Sequence, residues 1–231
     1  MIVALFDIDG TLLSTHGAGK RALEAALVAH FGTAGPSDHR YDGKTDGQIA
    51  RELMHAAGFE DPLIDAQMPS VLEHYLGGLE RELAEAPAAP RVYAGVRELL
   101  DALERCTDVT IGLLTGNIEG GAKAKLAAAG LRPQRFRVGA YGSDHERRDA
   151  LPAIARARAK ALLSRDIAGE AFVIIGDTPH DITCGRSIGA RAIGVATGYF
   201  GAAALAEHAP AAVFDDLSDT ERVIETIVKA S

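Results

Sequence analysis

Apolar residues run without a break from Ile2 to Phe6, about one strand's length, and the polar group Asp7-Ile8-Asp9-Gly10-Thr11 follows at once. A strand apolar on both faces is one covered on both sides, as in a parallel sheet flanked by helices. From Gly17 to Phe31 the apolar positions change to helical spacing, and Gly, Pro and Asp residues between Gly32 and Gln48 then interrupt them. This predicts a helix followed by a loop. Helical periodicity returns from Asp46 to Phe59 and again from about Pro69 to Glu85, ahead of an Ala/Pro stretch near residues 85–95. No strand-like run lies between about 14 and 90.

Beyond that point the two periods alternate. The pattern predicts a helix over 95–105, a strand VTIGLLT, a helix over 119–129, a short strand near 135–141 and a helix over 148–163. A strand AFVIIGD, a helix over 181–188, a strand ARAIGVAT, a short segment AAVFDD and a helix over 218–229 complete the chain. Strands alternating with helices imply a doubly wound parallel sheet. The expected architecture is an α/β core of residues 1–13 plus 92–231, with an all-helical insertion over 14–91.

Composition narrows the partners. With 47% apolar residues the chain can bury a real core, and a net charge of −8 argues against nucleic acid or an anionic membrane as partner, since either calls for a basic patch. The same charge repels anionic substrates, so a phosphate site here needs local positive charge. Cys106 and Cys184 have no metal-ligand spacing and make no disulfide framework, which fits a reducing cytoplasm. No apolar run approaches the roughly 20 residues of a membrane span.

Ligands of open α/β sheets bind beyond the C-terminal ends of the strands, so those ends are read together. Three carry polar groups: Asp7 to Thr11, then Thr115-Gly116-Asn117 after VTIGLLT, then Asp177-Thr178-Pro179-His180-Asp181 after AFVIIG. Each alone is an ordinary turn or helix cap. Together and in this order they resemble the haloacid dehalogenase-like hydrolases, mostly phosphatases, over nearly the whole chain, with the phosphoglycolate phosphatase-like branch the nearest likeness. The helical insertion resembles that family's cap, and Val92-Tyr93-Ala94-Gly95-Val96 resembles its return to the core.

The resemblance implies a Mg²⁺-dependent phosphatase acting on a small phosphate monoester. Asp7 would be the nucleophile, taking up the phosphoryl group as an aspartyl phosphate and dividing one hard step into two. Asp7, the backbone carbonyl of Asp9 and Asp177 would bind Mg²⁺, a cation that takes oxygen ligands. Asp181 joins the metal site as a carboxylate orienting a bound water or a neighbour. The Asp9 side chain would serve as general acid and base. Thr115, Gly116 and Asn117 would hold phosphoryl oxygens.

One departure is evident. The family places a lysine before the helix that precedes the last motif, and no lysine lies between Lys125 and Lys160. Arg148 aligns best with that place and Arg147 is the alternative register; arginine keeps the charge but presents a planar fork. In the insertion, Lys44 and Thr45 of the turn YDGKTDGQ could touch substrate, or Thr45 or Asp46 could cap the next helix. His180 and His16 stay open between loop and site roles. An acid at position 9 favours phosphoryl transfer over carbon–halogen cleavage. A phosphosugar mutase would share every core residue, a phosphonate-cleaving enzyme would need Lys20 or Lys44 as a Schiff base, and an inactive binding module would keep only the fold.

Overall fold

The computed structural model describes residues 1–86 and 89–229; Pro87 and Ala88 of the Ala/Pro stretch, and residues 230–231, lie outside the described residues. Strand β1 (Ile2–Phe6) is followed by the two-residue β2 (Leu13–Ser14), helices α1 (Ala18–Phe31), α2 (Asp46–Ala56) and α3 (Asp61–Glu85), and the two-residue β3 (Arg91–Val92). Helix α4 (Val96–Arg105), β4 (Val109–Thr115), α5 (Glu119–Ala128), β5 (Val138–Tyr141), α6 (Leu151–Leu163), β6 (Phe172–Gly176), α7 (Pro179–Cys184), β7 (Arg191–Val195), α8 (Ala202–Ala206), β8 (Ala212–Phe214) and α9 (Thr220–Val228) follow.

Six strands form one parallel sheet in the order β5-β4-β1-β6-β7-β8. Alternation along the central strand β1 supplies both faces. Ala4 and Phe6 pack with Leu99, Leu103, Leu126 and Val223 on one side, and Val3 and Leu5 pack with Leu151, Ala155 and Phe172 on the other. The result is the doubly wound α/β fold that the alternating pattern predicts. Helices α1, α2 and α3 bury a separate cluster that includes Leu23, Leu27, Leu53, Met54, Ile64 and Tyr75. The chain enters and leaves this helical unit through β2 and β3, which pair antiparallel, Leu13 opposite Val92 and Ser14 opposite Arg91.

Several boundaries differ from the sequence pattern for physical reasons. α3 begins at Asp61, eight residues before Pro69, and runs through that proline. Its apolar contacts with α1 and α2 outweigh the single lost backbone hydrogen bond. The predicted helix 148–163 is a 3₁₀ turn over Arg148–Ala150 followed by α6, with Pro152 in the first turn where a missing N–H costs nothing. β2 and β3 are too short to leave a period in the sequence, and α8 falls in an Ala-rich segment that the pattern leaves unassigned. Among the described residues, no helix is long and apolar enough to cross a membrane.

The helical unit has its own core, so a cavity there is felt directly. Leu53→Ala, at a position 1% exposed, is expected to cost about 2–5 kcal/mol. The check is urea unfolding, read as a lower midpoint at unchanged slope; an unchanged midpoint would mean that the unit does not unfold cooperatively with the sheet.

Candidate active site

β1 sits at the centre of the sheet, so the residues after it emerge between the ends of β4 and β6. Asp7 continues the ladder, its N–H donating to the Ile175 carbonyl at 2.9 Å. Its carboxylate is therefore buried at the sheet's C-terminal edge. Gly10 turns the chain with φ of 85°, and a Cβ there would collide with the Asp177 carboxylate. Only glycine allows both the turn and that approach. Thr11 Oγ1 then donates to Asp177 Oδ1 at 2.9 Å, tying the first strand end to the third.

Asp7, Asp177 and Asp181 each bring a carboxylate oxygen within 4.8 Å of the others, and all three are buried. Burial raises the Asp7 pKa to about 6, with Arg148 opposing and Asp181 adding to the rise. Burial, then the charges of Asp181 and Asp7, hold Asp177 well above the ordinary carboxylate range. Asp7 Oδ1 has no hydrogen-bond partner. Buried carboxylates that repel one another are matched by a hard cation with oxygen ligands, so the donor set fits Mg²⁺.

Arg148 lies 5% exposed, with Nη2 3.4 Å from Asp7 Oδ2. The same nitrogen pairs with Asp181 Oδ1 and donates to the Leu114 carbonyl at 3.3 Å. Burial works against its charge, but Asp181 and Asp7 outweigh that and keep the guanidinium protonated. Arg147 points away, its side chain 74% exposed and 3.2 Å from Asp149. Asp181 has both oxygens engaged: Oδ1 by Arg148, and Oδ2 by Thr178 Oγ1 at 2.6 Å and Thr178 N at 3.0 Å, in a capping box that starts α7. It anchors the arginine rather than offering a free ligand atom.

Asp9 faces a different cation. Its Oδ2 accepts from Lys125 Nζ at 2.6 Å and from Asn117 Nδ2 at 2.8 Å. Asn117 Nδ2 also donates to Thr115 Oγ1 at 2.8 Å. Asn117, expected at a phosphoryl oxygen, is thus occupied in joining Thr115 to Asp9. Thr115 is fully buried.

These groups line a cavity of about 280 Å³ whose other walls include Lys20, Tyr41, Lys44, Asp46 and Tyr75 of the helical unit. The segment 41–46 is seated on the sheet. Asp46 N donates to the Gly116 carbonyl at 2.8 Å, and Ile118 N donates to Asp46 Oδ2 at 2.8 Å. A Cβ on Gly116 would meet the Lys44 carbonyl, so glycine there is what lets the segment approach. Lys44 lines the cavity, but its ammonium is paired with Glu52 at 2.5 Å. Thr45 takes the capping alternative that the sequence left open: its hydroxyl accepts from Gln48 N at 3.1 Å to cap α2 and donates to the Glu146 carbonyl at 2.5 Å. His180 abuts Gly43, and His16, at φ of 52°, lies outside the cavity.

Lys125, Asp46 and Tyr75 are the site residues that the motifs miss. A signal for Lys125 exists in the sequence: it sits at helical spacing from Ala122 and Ala129, and both are core residues. A lysine in an apolar stripe needs a buried partner.

The sequence model of the haloacid dehalogenase-like hydrolases matches residues 3–189, and the chain belongs to that family of enzymes. It is 28% identical over 225 residues to a phosphoglycolate phosphatase of Agrobacterium fabrum, covering 94% of this chain and 89% of that protein. It is 27% identical over 223 residues to a 5'-nucleotidase of Pseudomonas aeruginosa, covering 96% and 95%. Among solved structures, a hydrolase from Pseudomonas syringae superposes with a TM-score of 0.74 at 22% identity, covering 99% of this chain and 100% of that one.

A cation that relieves ionised, buried acids must stabilise the fold more as they ionise. Asp7 and Asp177 have raised pKa values, so the metal-free fold is most favoured below the ordinary carboxylate pKa and loses stability as pH rises through about 6. Excess Mg²⁺ is expected to raise the melting temperature at pH 8 and hardly at pH 5, and Asp177→Asn to remove the shift. Equal shifts at both pH values would count against a carboxylate site.

Proposed function

We propose that the protein is a Mg²⁺-dependent phosphatase that hydrolyses a small phosphate monoester through an aspartyl phosphate on Asp7. The observation that carries this reading is the orphaned Asp7 Oδ1 beside a buried Arg148 and within 4.8 Å of two further acids. An oxygen kept free of hydrogen bonds in a cavity is a nucleophile without partners to displace. Arg148, buried beside Asp7, would take the part of the family's lysine, its fork offsetting the negative charge of both nucleophile and phosphoryl group.

The reaction follows from these residues. Asp7 Oδ1 bonds to phosphorus as the bond to the ester oxygen breaks, and Asp9 gives that oxygen its proton. Water then attacks the phosphorus, Asp9 accepts the proton, and Asp7 departs as carboxylate. Thr115 Oγ1 and backbone N–H groups around Gly116 hold the phosphoryl oxygens. Mg²⁺, held by Asp7, Asp177 and the Asp9 carbonyl, would supply positive charge against the transferring group. Residues 14–91 act as a cap whose segment 41–46 closes over the cavity and excludes water. A cavity of about 280 Å³ favours a small substrate over a macromolecule.

Asp7→Asn is expected to abolish turnover of p-nitrophenyl phosphate and of natural phosphate esters while leaving the circular dichroism spectrum unchanged, and wild-type activity is expected to vanish in chelator and return with Mg²⁺. More than a few per cent residual rate in Asp7→Asn would overturn covalent catalysis.

The two neighbouring arginines give an internal comparison. Arg148→Ala is expected to lower kcat by roughly 10²–10³, about 2.7–4 kcal/mol. Leaving Asp181 buried and unpaired also costs about 3–5 kcal/mol of stability. Arg148→Lys should recover part of both losses, and Arg147→Ala should leave steady-state rates near wild type. A damaging Arg147→Ala would place the cation one residue earlier.

A further inference from the structure

We propose that Lys125 is a positioning residue that, with Asn117, fixes the proton of Asp9 on the oxygen facing the substrate. The proposal rests on the aspartyl-phosphate reading above and adds a residue to it. Lys125 lies in α5, 4% exposed, on a stripe otherwise occupied by Ala122 and Ala129. Burying an ammonium in such a stripe is unfavourable unless it is paired and hydrogen-bonded. Its partners are specific: Asp9 Oδ2 at 2.6 Å and Asn117 Oδ1 at 2.6 Å. It makes no ion pair with Asp7, whose cation is Arg148. The two acids of the first motif are thus served by different cations.

Geometry gives Lys125 its task. Asp9 Oδ2 receives two donors, Lys125 Nζ and Asn117 Nδ2. Among the described residues no donor reaches Asp9 Oδ1 within hydrogen-bonding distance. An oxygen already accepting two N–H bonds is a poor place for a proton, so in the neutral acid the proton resides on Oδ1 and Oδ2 remains the carbonyl-like acceptor. When the ester bond breaks, that proton passes from Oδ1 to the departing oxygen, which keeps the bonding electron pair. The carboxylate left behind then shares its charge with the ammonium. Asn117 also holds Thr115, so the group that donates the proton and the hydroxyl beside the phosphoryl site share one scaffold. Without Lys125 the half-exposed Asp9 can rotate, and the proton is no longer aimed.

The readout is the dependence of rate on leaving group. In kcat/KM, which covers only steps through formation of the aspartyl phosphate, p-nitrophenyl phosphate needs little proton donation and p-methoxyphenyl phosphate needs much more. Lys125→Met is expected to lower kcat/KM for p-methoxyphenyl phosphate about 10–100-fold, to leave p-nitrophenyl phosphate nearly unchanged, and so to steepen the dependence across a series of substituted phenyl phosphates. Asp9→Asn should steepen it as well, and Lys125→Met should add nothing in that background. A merely structural lysine would lower all members of the series alike. Lys125→Gln, which keeps a polar end but removes the charge that pairs with Asp9, is expected to follow Lys125→Met and decides the matter if the latter does not fold. A steeper dependence in Asp9→Asn with a parallel one in the folded Lys125 variants would overturn the role of Lys125 alone; an unchanged dependence in Asp9→Asn would overturn the general acid itself.

Discussion

The structure depends on one unfavourable arrangement, three carboxylates buried together at the C-terminal edge of a parallel sheet. Asp7, Asp177 and Asp181 repel one another and lose hydration, which is why Asp7 and Asp177 hold protons above the ordinary carboxylate range. Arg148 compensates part of this charge by bridging Asp7 and Asp181. The rest calls for a cation with oxygen ligands. The fold tolerates the cost because β1 is the central strand and is apolar on both faces, so the strand end that carries Asp7 is held by packing rather than by the acids themselves.

Around that cluster the chain divides its cations. Arg148, fixed through Asp181 by the α7 capping box, pairs with Asp7; Lys125, fixed through Asn117, pairs with Asp9. The helical unit completes the enclosure through backbone contacts at Gly116 and Ile118, which place Asp46 against the end of β4. Burial raises the Asp46 pKa to about 6, with Lys125 opposing the rise, so the seam between the two units runs through the same lysine that holds Asp9. The paired β2 and β3 set the two connections side by side.

Much of this was legible in the sequence, for identifiable reasons. The sheet announces itself because its strands are buried on both faces and leave continuous apolar runs, and the polar residues ending β1, β4 and β6 stand out against those runs. Arg148 was legible because a charge was missing from the family pattern and few residues could supply it. Lys125 was not recognised because a lysine in an Ala-rich helix looks like a solvated one; only the identity of its helical neighbours marks it as buried. Thr45 was ambiguous for a local reason, since a hydroxyl before a helix can cap it or reach outward, and the cap prevailed. The unbroken α3 was hidden by Pro69, whose effect on the backbone is local while the helix is held by its packing.

The proposed mechanism requires that Asp7 become covalently phosphorylated. Acid quenching during turnover of a substrate with a good leaving group, followed by digestion with trypsin and mass spectrometry, examines the peptide from Met1 to Lys20, which holds both Asp7 and Asp9. The account predicts a single phosphoryl group on this peptide, assigned to Asp7 by fragmentation after borohydride reduction and absent when substrate is omitted. A phosphoryl group on Asp9 or on another peptide, or none under conditions where a burst of leaving group is seen, would contradict it.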